Sequence, residues 1–261
     1  MSMCRVIFLL NRINMEYDVE KVKPYNDDQS KREQVTEMFD GIAGQYDLLN
    51  RVLSLGIDTY WRKEALKAIR RYKPKQILDV ATGTGDFAIM AQRILNPDRI
   101  TATDISEGMM DVGREKVLQK GLQDNIIFEL QDCSNLSYYD NTFDAVTAAF
   151  GVRNFEEINK SFQEVLRVLR PGGVFMFIEL STPEKKPMKG LYDIYTKYAM
   201  PTMAKLLSTE ERAYEYLPES ISVFPQGREM MLILQKNGFT NIRLRRLTLG
   251  ITTMYIAEKP L

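Results

Sequence analysis

The sequence contains no histidine, which excludes a histidine-based triad, an imidazole general base and any metal cluster that includes imidazole. It has only two cysteines, Cys4 and Cys133, far apart and outside any recurring ligand spacing, so neither a disulfide framework nor a zinc site is expected. A reducing, cytoplasmic setting suits such thiols, and no metal is expected. Net charge is also missing: 35 basic residues balance 35 acidic ones, which removes the electrostatic ground for a nucleic-acid partner. Long apolar runs are absent as well. The only early one, residues 6–10, falls far below the roughly 18–20 residues of a membrane span and lacks a signal-peptide cleavage site. Met15 opens a more ordinary charged segment, so residues 1–14 read as a translation-start extension or loose tail within an N-terminal extension over 1–30.

What is present is the balance of an ordinary globular chain, 44% hydrophobic and 27% charged over 261 residues, enough for one large α/β domain over 31–261. Helix-like and strand-like periodicities alternate, which predicts a doubly wound, mostly parallel sheet. Residues 31–73 read as a helical cap. In it Val35, Met38, Phe39, Ile42, Ala43 and Tyr46 recur at helical spacing, although Gly41 and Gly44 weaken a single continuous helix. Asp58 is placed to cap the next helix, which turns Trp61, Ala65, Ala68 and Ile69 inward and Arg62, Lys63 and Arg70 outward and ends before Pro74.

Strands follow at 77–80, 100–104, 126–130, 143–150 and 174–180, separated by helices near 87–94, 107–120 and 157–169. The fourth is apolar almost throughout, the mark of a strand buried on both faces. Pro171-Gly172 carries type II turn chemistry into the fifth. Residues 183–222 interrupt the alternation; a helix near 227–236 and strands at 240–248 and 251–258, reversing at Gly250, complete the chain.

The segment from Asp79 to Asp86, with Gly83-Thr84-Gly85 at its centre, is a strand leading into a glycine loop and a helix. A ligand can approach bare backbone there, and the helix's first N–H groups suit an anion such as the carboxylate of a methionine-based methyl donor. Asp104 ends the next strand and can accept both hydroxyls of an adenosine ribose. Asp132-Cys133 can reach an adenine amino group, and Ala149-Phe150-Gly151 closes the same edge. Asp144, before a buried strand, reads as structural. Two other classes compete. Gly83, Gly85 and Ala88 also fit the Gly-X-Gly-X-X-Ala pattern of a nicotinamide-dependent dehydrogenase, but no second mononucleotide-binding half follows. A module that binds a nucleoside without chemistry would show the same loop.

Asp79 to Asp86, Asp104, Asp132-Cys133 and Pro171-Gly172-Gly173 together resemble the class I methyltransferases, whose sheet has seven strands with the last antiparallel. Tyr46-Asp47-Leu48-Leu49-Asn50, Leu53-Ser54-Leu55-Gly56-Ile57 with Trp61-Arg62, Phe150-Gly151-Val152-Arg153-Asn154, and 167–181 ending Ile178-Glu179-Leu180-Ser181 resemble the UbiE/MenG family of quinone-biosynthesis C-methyltransferases. The resemblance spans about residues 31–258. It implies S-adenosylmethionine as cofactor, held by Asp79, Gly83, Thr84, Gly85, Asp104, Ile105, Met109, Asp132, Cys133 and Phe150. Some members carry a serine where this chain has Ala149, so that hydroxyl is missing here.

The implied reaction is methylation of a ring carbon of a reduced polyprenyl quinone, 2-demethylmenaquinol first and a benzoquinol as the alternative. Arg153 would hold the phenolate and Asn154 orient the ring oxygen, or both would cap the turn. Glu179 would serve as base or water holder. Tyr46 and Asp47 would cover the donor pocket or belong to a packed cap. Without histidine, the proton must pass to a carboxylate, a tyrosine or an ordered water. A polyprenyl substrate lives in the bilayer. Leu191, Tyr192, Ile194, Tyr195, Tyr198, Met200, Met203, Leu206 and Leu207, beside Lys185, Lys186, Lys189, Lys197 and Lys205, are therefore expected either to form an amphipathic lid or to pack as core, with Pro201 breaking any helix. The expected partners are the quinol, the inner face of the cytoplasmic membrane and, in a homodimer, a second copy of the chain.

Overall fold

Apolar residues in the central strands alternate between two cores, and this alternation organises the computed structural model, which describes residues 16–25, 28–199 and 211–261. Leu78, Val80, Val146, Ala148, Phe175, Phe177 and Tyr255 face one core. Ile77, Ala145, Val174, Met176, Ile178, Met254 and Ile256 face the other. Since successive side chains of a strand point to opposite faces, a sheet covered on both sides is apolar at most positions of its central strands, which read as near-continuous runs.

The sheet has seven strands: β1 (Gln76–Val80), β2 (Arg99–Asp104), β3 (Ile126–Leu130), β4 (Phe143–Ala149), β5 (Leu169–Leu180), β6 (Thr240–Leu247) and β7 (Thr252–Glu258). Their order is β3-β2-β1-β4-β5-β7-β6. β7 runs antiparallel to both neighbours, and β1 to β5 are parallel. The seven-stranded expectation, last strand antiparallel, therefore holds, with Gly250 at φ +97° in the reversal.

Ten helices are described: α1 (Asp18–Lys21), α2 (Lys31–Ile42), α3 (Tyr46–Leu53), α4 (Asp58–Ile69), α5 (Asp86–Leu95), α6 (Glu107–Gln119), α7 (Ile158–Val168), α8 (Met188–Ile194), α9 (Glu211–Val223) and α10 (Arg228–Lys236). Ile158, Phe162, Val165 and Val168 of α7 and Met230, Ile233 and Leu234 of α10 fill the first core. Trp61, Ala65, Leu66 and Ile69 of α4 and Phe87, Ala88 and Ala91 of α5 fill the second. No described helix is long and apolar enough to cross a membrane.

Two local expectations are corrected. Asp58 is the first residue inside α4 rather than its cap, bonded to the Ser54 hydroxyl at 3.0 Å. Arg62 does not look outward: only 7% of it is exposed, because Asp58 and Asp86 draw its guanidinium over Phe150. Asp144 is structural as read, accepting the N–H groups of Lys75 and Gln76.

The expected loose tail, 1–14, lies outside the described residues, as do Met200, Pro201, Met203, Lys205, Leu206 and Leu207 of the expected lid. Packed chain begins well before residue 31. Val19 is buried in the first core, and Glu20 accepts the Ile158 N–H at 2.6 Å, capping α7 from a distant part of the sequence. Lys31 is buried too, its ammonium donating to the carbonyls of Val19, Arg153 and Phe155 at 2.6, 3.0 and 3.3 Å.

Candidate active site

β1 pairs with β2 on one side and β4 on the other, so the chain departs in opposite directions at their C-terminal ends. A crevice forms at such a switch point. Both exits bend sharply, with Ala81 at φ +49° and Phe150 at φ +66°. Gly151 permits the closeness of the two turns, since a Cβ there would lie 2.4 Å from that of Ala81. Gly85 caps α5 at φ +75°, where a Cβ would meet the Phe128 ring at 2.8 Å.

The resulting cleft, about 780 Å³ including its open mouth, is lined by Tyr46, Gly83, Asp104, Ile105, Met109, Asp132, Cys133, Phe150 and Asn154 among others. Nine of the fifteen residues singled out from sequence thus line one cleft. A smaller recess of about 320 Å³ adjoins it, lined by Tyr46, Arg62, Asp79, Gly83, Thr84, Asp86 and Phe87 among others.

Asp104 is fixed at both oxygens, accepting the Gly83 N–H at 2.7 Å and the Ser106 N–H at 3.0 Å. Burial pushes its carboxyl above the usual range, and these donors pull it back. Asp132 is half-buried, yet the Ser134 N–H and the Arg32 guanidinium, 2.9 Å away, hold its carboxyl below the usual range. Burial drives the Cys133 thiol upward, so it is a neutral wall group and no nucleophile.

Asp79 lies one layer beneath the loop. It accepts the hydroxyls of Thr82 and Thr147, both at 2.6 Å, and burial raises its carboxyl to about 6. Asp47 belongs to a latch: it accepts the Thr84 hydroxyl at 2.6 Å and pairs at 2.7 Å with Lys116, which also holds Asp86 at 2.6 Å. The cap helix α3 is thereby fastened to the glycine loop.

Arg153 and Glu179 do not line the cleft; they stand behind it as a buried ion pair of 2.7 Å. The two Glu179 oxygens accept from Arg153 Nη1, the Arg153 N–H and the Leu180 N–H. Asn154 Oδ1 accepts the Tyr216 hydroxyl at 3.0 Å. Burial raises the hydroxyls of Tyr216 and Tyr192, the latter to about 12, while the Arg153 charge opposes the rise. Both stay protonated at neutral pH and offer a hydrogen bond rather than a base. Arg153 Nε and Arg62 Nε are two of four buried side-chain nitrogens and oxygens that lack a hydrogen-bond partner among the described residues.

Sequence reasoning missed Arg32, Lys31, Lys116, Tyr216 and the inward turn of Arg62. Asp58 and Arg62 stand four apart on one helix, an ion-pair signal legible in the sequence. Nothing in sequence spacing announces Tyr216 or Lys31.

The sequence profile of the ubiE/COQ5 methyltransferase family matches residues 27–259. The chain belongs to that family. Among its relatives is the demethylmenaquinone methyltransferase of Bacteroides fragilis, 52% identical over 94% of this chain and 100% of its own length. The ubiquinone/menaquinone biosynthesis C-methyltransferase UbiE of Geobacter sulfurreducens is 41% identical over 88% of this chain and 90% of its own. In fold, the chain is similar to a SAM-dependent methyltransferase from Aquifex aeolicus, with TM-score 0.54 and 20% identity over 74% of this chain and 88% of that one.

Membership in the ubiE/COQ5 family makes S-adenosylmethionine the methyl donor, and the site fits it. The Gly83 turn leaves backbone open to a ligand, Asp104 presents a fixed carboxylate, and the buried Arg62 Nε has a donor to give.

Proposed function

We propose that this enzyme methylates a ring carbon of a demethylated polyprenyl quinol, with 2-demethylmenaquinol as substrate. The observation that carries the reading is the buried, partly unsatisfied guanidinium of Arg153 behind the donor cleft, a fixed positive charge with a free N–H. The name of the Bacteroides fragilis relative supports the naphthoquinol ring in particular.

S-adenosylmethionine brings a methyl group on a sulfonium that carries its own leaving group, so the protein's tasks are alignment and charge placement. Asp104, Asp132 and Gly83 seat the adenosine end, while Tyr46 on α3 covers the junction of the two recesses. A quinol carbon becomes nucleophilic as its neighbouring hydroxyl loses a proton. Arg153 stabilises the oxyanion by its positive charge from behind the cleft, and Asn154, held by Tyr216, orients the ring. Glu179 is a positioning residue. Its oxygens are committed to Arg153 and to Leu180, so the hydroxyl proton passes to solvent; as the C–CH3 bond forms and the S–CH3 bond breaks, the displaced ring proton moves from carbon to the neighbouring oxygen and restores the quinol.

The lipid tail leaves toward α8. Leu191 and Ile194 are 58% and 60% exposed there, and Lys185, Lys186, Lys189 and Lys197 are exposed around them. Tyr195 donates to the Leu53 carbonyl at 2.6 Å, which ties this segment to the α3–α4 turn and its exposed Leu55 and Ile57. Apolar side chains ringed by lysines suit the surface of an anionic bilayer. The test is purified protein with labelled donor and paired demethylated naphthoquinol and benzoquinol, the ring position of the label being identified. Label on the carbon beside a naphthoquinol hydroxyl is expected; label on neither ring overturns the reading.

A further inference from the structure

Asn154 lines the cleft, and the residues on either side of it are tied to one buried cation. The ammonium of Lys31, at the start of α2, donates to the Arg153 carbonyl at 3.0 Å and the Phe155 carbonyl at 3.3 Å, and its third bond goes to the Val19 carbonyl on α1 at 2.6 Å. An ammonium has three N–H bonds to give, and three carbonyls take them. Only 1% of Lys31 is exposed. Taking a charge out of water is costly, and a methionine would fill the same space without that cost, so packing alone gives no reason for a lysine. What the ammonium adds is a hold on backbone.

That backbone needs one. Val152–Asn154 is a single 3-10 turn, too short to be fixed by its own hydrogen bonds. Glu179 grips it from β5, accepting the Arg153 N–H at 3.2 Å and pairing with the guanidinium at 2.7 Å. Lys31 grips the other end of the same residue, at its carbonyl. Tyr216 bonds the Asn154 side chain and so orients the amide without fixing the chain that carries it. The Lys31 N–H donates to Glu156 at 2.8 Å, which ties the start of α2 to the stretch just after the turn. The charged groups facing the ammonium are Glu20 from α1, Arg153 from the turn and Glu156 from the stretch before α7. Burial pulls the ammonium down to about 7; Glu20 raises it, Arg153 lowers it further and Glu156 raises it. Once discharged, the amine has two N–H bonds for three carbonyls.

We propose that Lys31 is a positioning residue for methyl transfer, its ammonium holding the Arg153 and Phe155 carbonyls so that Asn154 and the Arg153 charge stand at the quinol oxygen. The inference rests on Arg153 and Asn154 being the acceptor-side groups, and it names the residue, far from them in sequence, that sets where they stand. Lys31 itself does not line the cleft.

The test is Lys31→Met in the full chain, with labelled donor and saturating demethylated quinol. At about pH 6 kcat is expected to fall about 100-fold, the scale of misplacing a reacting partner by an ångström, while the donor's Kd stays within about 2-fold. A merely structural lysine would give a loss that ignores pH. Here the ratio of wild-type to Lys31→Met kcat should shrink about 10-fold between about pH 6 and pH 8.5, as the ammonium discharges and one charge-assisted bond is lost. Undiminished kcat, a donor Kd that rises in step with the loss of kcat, or a loss constant across pH would each make Lys31 a clamp of the fold and overturn the proposal. If Lys31→Met fails to fold, Glu20→Gln decides. It removes the carboxylate that keeps Lys31 charged, so kcat near pH 6.5 should fall below that of wild type and the two profiles should converge above about pH 8; coincident profiles overturn the proposal. Wild type that methylates neither quinol ring is a different result and brings down the acceptor reading itself.

Discussion

On the donor side of the cleft, Gly83, Asp104 and Asp132 sit at the ends of adjacent strands, and each carboxylate is pinned by backbone N–H groups. On the acceptor side, Tyr192 and Tyr216 come from the long segment between β5 and β6, and Leu191 and Ile194 of α8 face solvent. The first wall is a by-product of sheet topology and the second is an addition to it. A strand-end pocket suits a constant, compact ligand; helices with exposed apolar side chains suit a lipid whose tail must pass in and out. Arg153 is the joint between them, hydrogen-bonded to the Phe150 carbonyl on the donor side and placed near the Tyr192 and Tyr216 hydroxyls on the other.

That joint is the place to break the comparison with the largest effect. Arg153→Lys keeps a charge beside Glu179 but loses the Nε–H and the planar fork. It should lower kcat about 1,000-fold, on the scale of a lost oxyanion donor, while the donor's Kd in calorimetry stays within about 2-fold. A matched loss of donor affinity would place Arg153 in the donor wall and erase the distinction.

The donor wall's rigidity has a cost that pH exposes. Asp79 releases its proton at about 6 in the folded chain, because burial outweighs its two threonine hydroxyls, and at ~3.9 in the unfolded one. Between those values the unfolded chain binds fewer protons, so stability falls as pH rises from 4 to 6 and is level above that. The loss is about 3 kcal/mol. Asp79→Asn, which retains partners for Thr82 and Thr147, should melt higher than wild type at pH 7 and equal to it near pH 4 in denaturant titrations. A constant gap across that range would mean that Asp79 is not the titrating group.

Asp104→Ala sharpens the same side. It leaves the Gly83 and Ser106 N–H groups without their acceptor and removes the carboxylate proposed to hold the ribose. The donor's Kd is expected to rise on the order of 50-fold, and kcat at saturating donor to change less than about 3-fold. Filter binding with labelled donor and a saturation curve separate the two.

The sheet and the donor loop were legible because their causes are local. Continuous apolarity marked β4, a glycine pair marked the turn, and a carboxylate at the next strand's end marked a residue that lines the cleft. Arg62 was misread because helical periodicity treats an arginine as solvent-facing, and only the two acids around it, one of them from α5, explain its burial. Asp47 was read as covering the donor pocket or belonging to a packed cap, while its attachment to Thr84 and Lys116 depends on α3, the loop and α6 meeting. Tyr216 reaches Asn154 across 62 residues of sequence, and no pattern along the chain encodes such a contact.

The acceptor side carries the smallest expected effect and the most specific one. If Leu191 and Ile194 meet lipid rather than protein, replacing both by aspartate changes little inside the fold, since neither is buried. What changes is the approach of a tail: two apolar contacts are lost and two negative charges face the same sign on an anionic surface. KM for a long-tailed quinol presented in anionic vesicles should rise about 10-fold, the scale of losing part of two side-chain burials, whereas a short-tailed analogue in solution should keep its KM within about 2-fold. Equal rises for both substrates would place these residues against the quinol ring, and α8 would then belong with the pinned wall instead of the open one. Because the donor wall shares no side chain with α8, the donor's Kd must stay constant in either case; a shift there would show that the two walls are mechanically one.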